Sequence, residues 1–179
     1  MDTHSTNEAR VWAFRLATGP RRNISHDGYS DDAPRSYQWD SKVANSEGPS
    51  VGDVILLWTE LGSLGMSRIE KLERASGVKT GYRCPECHKA KIFYRASKRP
   101  VYRCQDCKHE FGDPERIEQE VTIYVAHYET GWTPVRGLDP AEIRGLAYEA
   151  KSINSIRELR ASALSAAAPA AATMLRFRA

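Results

Sequence analysis

The sequence predicts an α+β fold: a small mixed β-barrel with helices late in the chain and one cysteine-rich insertion. Three observations predict it. Short apolar runs separated by turn residues fill much of the chain up to Tyr128, a capped helical segment opens at Pro140, and all four cysteines fall in one 24-residue window. The chain has 179 residues, 41% hydrophobic and 27% charged, enough to bury a core of ordinary size.

Residues 1–9 are polar and are expected to be disordered. Val11 to Leu16 alternates as a first strand should, and residues 18–36 (TGPRRNISHDGYSDDAPRS) form a long loop rich in Gly, Pro, Asp and Ser. Tyr37 to Asp40 is a short strand. In VGDVILLWTE, Gly52-Asp53 turns the chain into a buried strand, Val54 to Trp58. Leu64 to Leu72 is strand-like, and Val121 to Tyr128 resumes the pattern after the cysteines. Asp139 N-caps a helix over Pro140 to Tyr148, with proline at its first position. Ser152 to Leu164 reads as a second short helix or turn. One folded domain over 10–164 is expected, with an insertion at 80–112. Residues 165–179 are an Ala-rich tail or linker.

The cysteines are spaced as CPEC, sixteen residues, then CQDC. Each C-x-x-C turn aims two sulfurs at one point, and two such turns complete a tetrahedron. Cys84, Cys87, Cys104 and Cys107 are therefore the expected ligands of one structural zinc ion, with a hairpin of Ile92 to Tyr94 and Val101-Tyr102 between the knuckles. A disulfide pair does not suit a chain without an export signal, and a redox C-x-x-C would stand alone at a helix start. Neither a signal peptide nor a membrane-spanning apolar run is read, so a cytoplasmic protein is expected.

Net charge is +3, a balance that permits nucleic-acid binding without demanding it. The distribution is more telling. Basic residues crowd the cysteines, Arg95, Lys98 and Arg99 among them, and Arg21-Arg22 sit in the long loop. No phosphate-cradling glycine loop, nucleophile elbow or H-E-x-x-H is present, and the five histidines are scattered. No enzyme is read from these residues. By spacing alone, Trp39 and Trp58 read as core and Asp40 as a turn cap.

The succession YQWDSKVAN, VGDVILLW, LGMSRIEKLE, RCPEC, YRCQDC, VTIYVAHYETGW and KSINSIREL resembles the N-terminal module of actinobacterial HNH endonucleases of the McrA type, which are modification-dependent restriction enzymes. The resemblance runs from about Val11 to Leu164. The GD-hydrophobic-Trp strand also resembles the EVE and SRA members of the PUA-like superfamily. The resemblance implies a small twisted PUA-like (EVE/SRA-like) β-barrel with flanking helices and an inserted four-cysteine zinc ribbon.

It further implies that the chain binds double-stranded DNA carrying 5-methylcytosine or 5-hydroxymethylcytosine, by base flipping. The family's HNH nuclease module is expected to be absent, leaving the reader part of a restriction system. A homodimer and a nuclease module in full-length relatives are compatible with this. In that reading Trp39, Trp58, Tyr128 and Tyr37 wall the base, Asp40 accepts from its exocyclic amine, and Ser41 and Asn45 orient the loop or touch the sugar-phosphate. Arg21, Arg22, Arg95, Lys98, Arg99, Lys151 and Arg157 would meet the DNA backbone. Two alternatives remain open at this point: an RNA-binding PUA-like protein with a ribbon, and a protein-interaction module.

Overall fold

The structure, a computed structural model, describes residues 9–18, 29 and 31–176. In chain order its elements are β1 (Val11–Arg15), β2 (Ser36–Asp40), β3 (Val54–Thr59), β4 (Gly62–Arg68), β5 (Lys71–Arg83), β6 (Ile92–Tyr94), β7 (Tyr102–Cys104), β8 (Glu110–Phe111), β9 (Glu115–His127), β10 (Thr133–Pro134), α1 (Pro140–Leu146), β11 (Ile156–Leu159), α2 (Ala161–Ala167) and α3 (Pro169–Arg176). They form two compact units. Of the described residues, one holds 9–18, 31–74 and 123–176, the other 29 and 75–122.

The first unit is built on a five-stranded sheet of order β10-β4-β3-β1-β11. Strand β3 lies at its centre, parallel to β1 and antiparallel to β4. All six of its residues are buried, as expected for a strand covered on both faces. Alternation divides the core in two. Val11, Ala13, Val54, Leu56 and Trp58 face one side, where α1 supplies Ile143 and Leu146 and α2 supplies Leu164. Trp12, Phe14, Ile55, Leu57 and Ile156 face the other side, against the aromatic residues Tyr37, Trp39 and Tyr124 of β2 and β9.

The entry to β3 is held by Asp53. Its buried carboxylate accepts from Trp12 Nε1 at 2.9 Å and from the Ser50 amide at 3.0 Å. Gly52 supplies the left-handed turn, at φ 91°. Helix α1 starts where the capping residues place it. Asp139 accepts from the amides of Ala141 and Glu142, while the Glu142 side chain returns to the Asp139 amide, a closed capping box.

Four expectations need correction. No sheet is closed into a barrel: β10 and β11 edge the five-stranded sheet, and β2 and β5 edge the three-stranded one of order β2-β9-β5. The segment expected over Leu64 to Leu72 divides into β4 and β5, with the break at Ile69-Glu70. The segment Ser152 to Leu164 is not one helix. Ile156 to Leu159 pairs with β1 as an edge strand, because Ile156 and Leu159 then reach the two opposite core faces of the sheet. The tail is not a linker: α3 buries Ala171, and Arg68 donates from Nη2 to the Met174 carbonyl at 2.6 Å. Of the expected disordered segment only Ala9 is described, and it is buried. The long loop of 18–36 lies largely outside the described residues.

Strands β5 and β9 have 13 residues each and are hydrogen-bonded neighbours. Their outer halves belong to the second unit and carry between them the small sheet β6-β7-β8. That insertion has the expected hairpin, with Ile92 opposite Cys104 and Tyr94 opposite Tyr102. Among the described residues, no helix is long and apolar enough to cross a membrane.

Asp53→Ala is expected to cost about 1–3 kcal/mol in urea denaturation, because it strands the buried Trp12 indole N–H and removes the acceptor of the Ser50 amide.

Candidate functional site

Strand β5 runs directly into Cys84, and β7 ends on Cys104, so two of the four cysteines are fixed by strand ends. Each knuckle closes with the same backbone bond. The amide of Cys84 donates to Lys89 O, and that of Cys104 to His109 O, both at 2.9 Å. The residue after each second cysteine is left-handed, His88 at φ 57° and Lys108 at φ 66°. Neither is glycine, so each knuckle holds a conformation that costs an L-residue about 1–2 kcal/mol. Two turns of unrelated sequence thus take one shape.

The ligand atoms of the four cysteines all lie within 4.8 Å of one another. Cys84 Sγ is 3.6 Å from Cys107 Sγ, and Cys87 Sγ is 3.5 Å from Cys104 Sγ. A tetrahedral ion with metal–sulfur bonds of about 2.3 Å requires sulfurs about 3.8 Å apart, so the set fits a metal. All four are free of disulfides. Their titration shows why a cation belongs there. Burial pushes the Cys104 thiol up, but the amides of Cys107 and Asp106 and the neighbouring thiols bring it down to about 7. At Cys107 the His109 amide favours the thiolate, yet burial and the thiols of Cys87, Cys104 and Cys84 outweigh it and push the group up to about 12. Four sulfurs this close cannot all ionise without a compensating positive charge. Four ligands also fill a tetrahedral shell, which leaves no position for a substrate.

Around this centre, among the described residues, Ile92 and Phe111 are the buried apolar side chains that cluster with Cys84 and Cys104, with Tyr82 and Tyr102 packed against them. A metal held by the four cysteines would therefore carry much of the folding free energy of this small cluster.

The expected base pocket is arranged differently. Trp39 is 1% exposed; its indole N–H donates to Ser46 O at 2.9 Å, and its ring stacks on Tyr124 at 5.4 Å with an 8° interplanar angle. Phe14 meets the same indole edge-on. Asp40 is fully buried and accepts from the Lys42 amide at 2.6 Å, the turn cap its position allows. Ser41, next to it, is exposed. The Tyr37 hydroxyl donates to Arg15 O at 3.0 Å. Tyr128 is buried with its phenol unpartnered among the described residues, and burial, then the charge of Asp31, raises its pKa far above the ordinary value. Trp58 belongs to the other core, on the helix side of the sheet. Trp39 and Trp58 cannot wall one pocket, because the sheet lies between them.

Two expected residues do come together. Asn45, left-handed at φ 63°, donates from Nδ2 to Ile156 O at 2.9 Å. That bond ties the turn after β2 to β11, and Asn45 and Arg157 then line one cleft of about 120 Å³ with Trp12, Tyr148, Ser152 and Glu158. Trp12 and Tyr148 carried no signal for this in the sequence, since strand alternation and a helix end explain them equally well.

The basic residues differ in how far they are spent. Arg95 is turned inward, donating to Glu110 Oε1 and to Pro100 O, both at 2.6 Å; its hydrogen bond keeps the Glu110 carboxyl below the usual range. Arg157 is 3% exposed and donates from Nε to Asn154 O. Arg95 is thus a structural position, whereas Arg157 is buried yet edges the cleft beside Asn45. Lys98, Arg99 and Lys151 are exposed, and no ion pair holds them among the described residues. Arg21 and Arg22 lie outside the described residues.

No family model, curated protein or solved structure matches the chain.

Two outcomes are expected. A strong chelator, or Cys104→Ser, should abolish the amide-exchange protection of residues 84–111 while the sheet around β3 keeps its own, with one metal per untreated chain by native mass spectrometry. Trp39→Ala should lower stability by about 3–5 kcal/mol in chemical denaturation, as a core ring does, without releasing the metal.

Proposed function

We propose that the chain is a duplex-DNA-binding module whose cysteine cluster holds a structural zinc ion, and that it reads 5-methylcytosine or 5-hydroxymethylcytosine as the reader part of a modification-dependent restriction system. Four thiolates at tetrahedral spacing suit zinc. The single observation that carries the nucleic-acid reading is the ribbon itself: a four-cysteine insertion between the largely exposed outer halves of β5 and β9, presenting Lys98 and Arg99, neither of them in an ion pair among the described residues. Such charges favour a phosphate backbone through counterion release.

The modified-cytosine reading rests on the resemblance of YQWDSKVAN, VGDVILLW and KSINSIREL to the reader module of McrA-type endonucleases and to PUA-like proteins. In this fold the base would enter the cleft beside Asn45, where polar groups and the exposed Tyr148 ring meet open space, rather than between two core tryptophans. The added methyl or hydroxymethyl contributes only about 1–3 kcal/mol of discrimination, so phosphate contacts must supply most of the affinity. A second reading has one observation in its favour. Phe93 and Tyr94, on opposite faces of β6, are each partly exposed, and an open ring suits stacking on a base of single-stranded RNA.

A mobility-shift titration from low to physiological salt separates these. Matched duplexes with cytosine, 5-methylcytosine and 5-hydroxymethylcytosine would be compared with single-stranded RNA. We expect tighter binding to a modified duplex, and a Lys98→Ala, Arg99→Ala protein should lose about 1–2 from the slope of log affinity against log salt. Tyr148→Ala should reduce the preference for the modified base and leave the slope unchanged. Equal affinity for all duplexes defeats the reader, and absence of binding at low salt defeats the nucleic-acid reading altogether.

A further inference from the structure

On the helix side of the sheet, three arginines surround one buried indole. The guanidinium carbons of Arg15, Arg144 and Arg157 each lie 5.5 Å from the centre of the Trp58 ring. They come from three elements. Arg15 ends β1, Arg157 sits in β11 opposite Ala13, and Arg144 is in the last turn of α1. The register puts Arg15 beside Trp58 across the parallel pair, so sheet pairing itself brings the charges together.

The chain offers this cluster little compensation. Glu60 binds Arg15 at 2.8 Å. Arg144 and Arg157 have no carboxylate partner among the described residues, although Arg157 is only 3% exposed. Three donors here are sealed from water and unpartnered: Arg15 Nε, Trp58 Nε1 and Arg157 Nη1. The indole face moderates the repulsion through cation–π attraction, but a ring cannot accept the in-plane N–H bonds that remain unmade. Burial, and then the charges of Arg144 and Arg15, lower the pKa of Arg157. Buried donors and like charges of this kind call for an anion with several acceptor oxygens.

We propose that Arg15, Arg144 and Arg157 form a binding site for a phosphoryl oxyanion beside Trp58. A tetrahedral oxyanion presents enough acceptors for three guanidiniums at once, which a single carboxylate does not. The cluster borders solvent through two of its arginines, since Arg15 is 35% exposed and Arg144 is half-buried. The site does not depend on the chain reading DNA: free phosphate and a nucleic-acid backbone present the same phosphoryl oxygens to it.

The experiment uses the full zinc-loaded chain. Potassium phosphate is titrated against potassium chloride at matched ionic strength, with melting temperature and calorimetric heat as readouts. Saturable binding at low millimolar phosphate is expected, with a rise of several degrees in melting temperature. Arg144→Gln should weaken phosphate binding by about tenfold or more, the loss of one charge-assisted contact, and in chloride alone it should melt higher than the parent because a like charge is gone. Arg15→Gln should weaken binding similarly. An unmodified duplex is then added as competitor. Competition for phosphate assigns the site to a nucleic-acid backbone, and saturable phosphate binding without competition assigns it to a free phosphate; either supports the site. A rise in melting temperature that is linear in phosphate and equal in both variants is general salt stabilisation, and it overturns the proposal. So does a calorimetric titration of the parent that shows no saturable heat.

Discussion

A central strand buried on both faces is the constraint from which the first unit follows. Val54 to Thr59 has no side chain that water reaches, so two separate layers must cover it. Helices α1 and α2 cover one face, and the aromatic side chains of β2 and β9 cover the other. Because β1 runs parallel to β3, the chain needs a long connection between them, and β2 leaves within it to join a different sheet. The same arrangement fixes the fate of the tryptophans. Trp39 enters with β2 on one side, and Trp58 faces the helices on the other.

The molecule concentrates like groups in two places and answers each differently. In the cysteine cluster, thiols within 4.8 Å favour the thiolate at Cys104 and oppose it at Cys107, and a cation would favour it at all four. Around Trp58, three guanidiniums share one indole and one carboxylate. The physical logic is the same with the sign reversed: burying like charges together is unfavourable unless a ligand of opposite charge completes the set. Asp53 shows what a self-sufficient buried charge looks like in this fold, since its carboxylate is answered by the Trp12 indole, the Ser50 amide and the nearby Arg10 guanidinium.

Where the sequence was readable, local chemistry was sufficient. Two C-x-x-C turns place four sulfurs, and the hairpin between them, Ile92 to Tyr94 against Tyr102 to Cys104, follows from the apolar residues on either side of a polar turn. Asp139, Pro140 and Glu142 mark a helix start within four residues. The strand of Val54 to Thr59 follows from a glycine turn and an unbroken apolar run. Strands β5 and β9 were only half legible. Their outer halves are mostly exposed and rich in charge, and hydrogen bonding to each other defines them rather than any apolar alternation.

The sequence alone determined the four-cysteine cluster, the central strand and the capped helix, because each depends on residues close together in the chain. The tertiary structure decided the rest. Ile156 to Leu159 becomes a strand because β1 offers it a free edge with a core on each face, an advantage that helical spacing in SINSIREL cannot reveal. Trp39 and Asp40 become core and turn cap because Tyr124 and the Lys42 amide occupy them. The cleft beside Asn45 and the arginines around Trp58 join residues more than a hundred positions apart, so only the sheet register, with a turn and α1 packed against the sheet, brings them together.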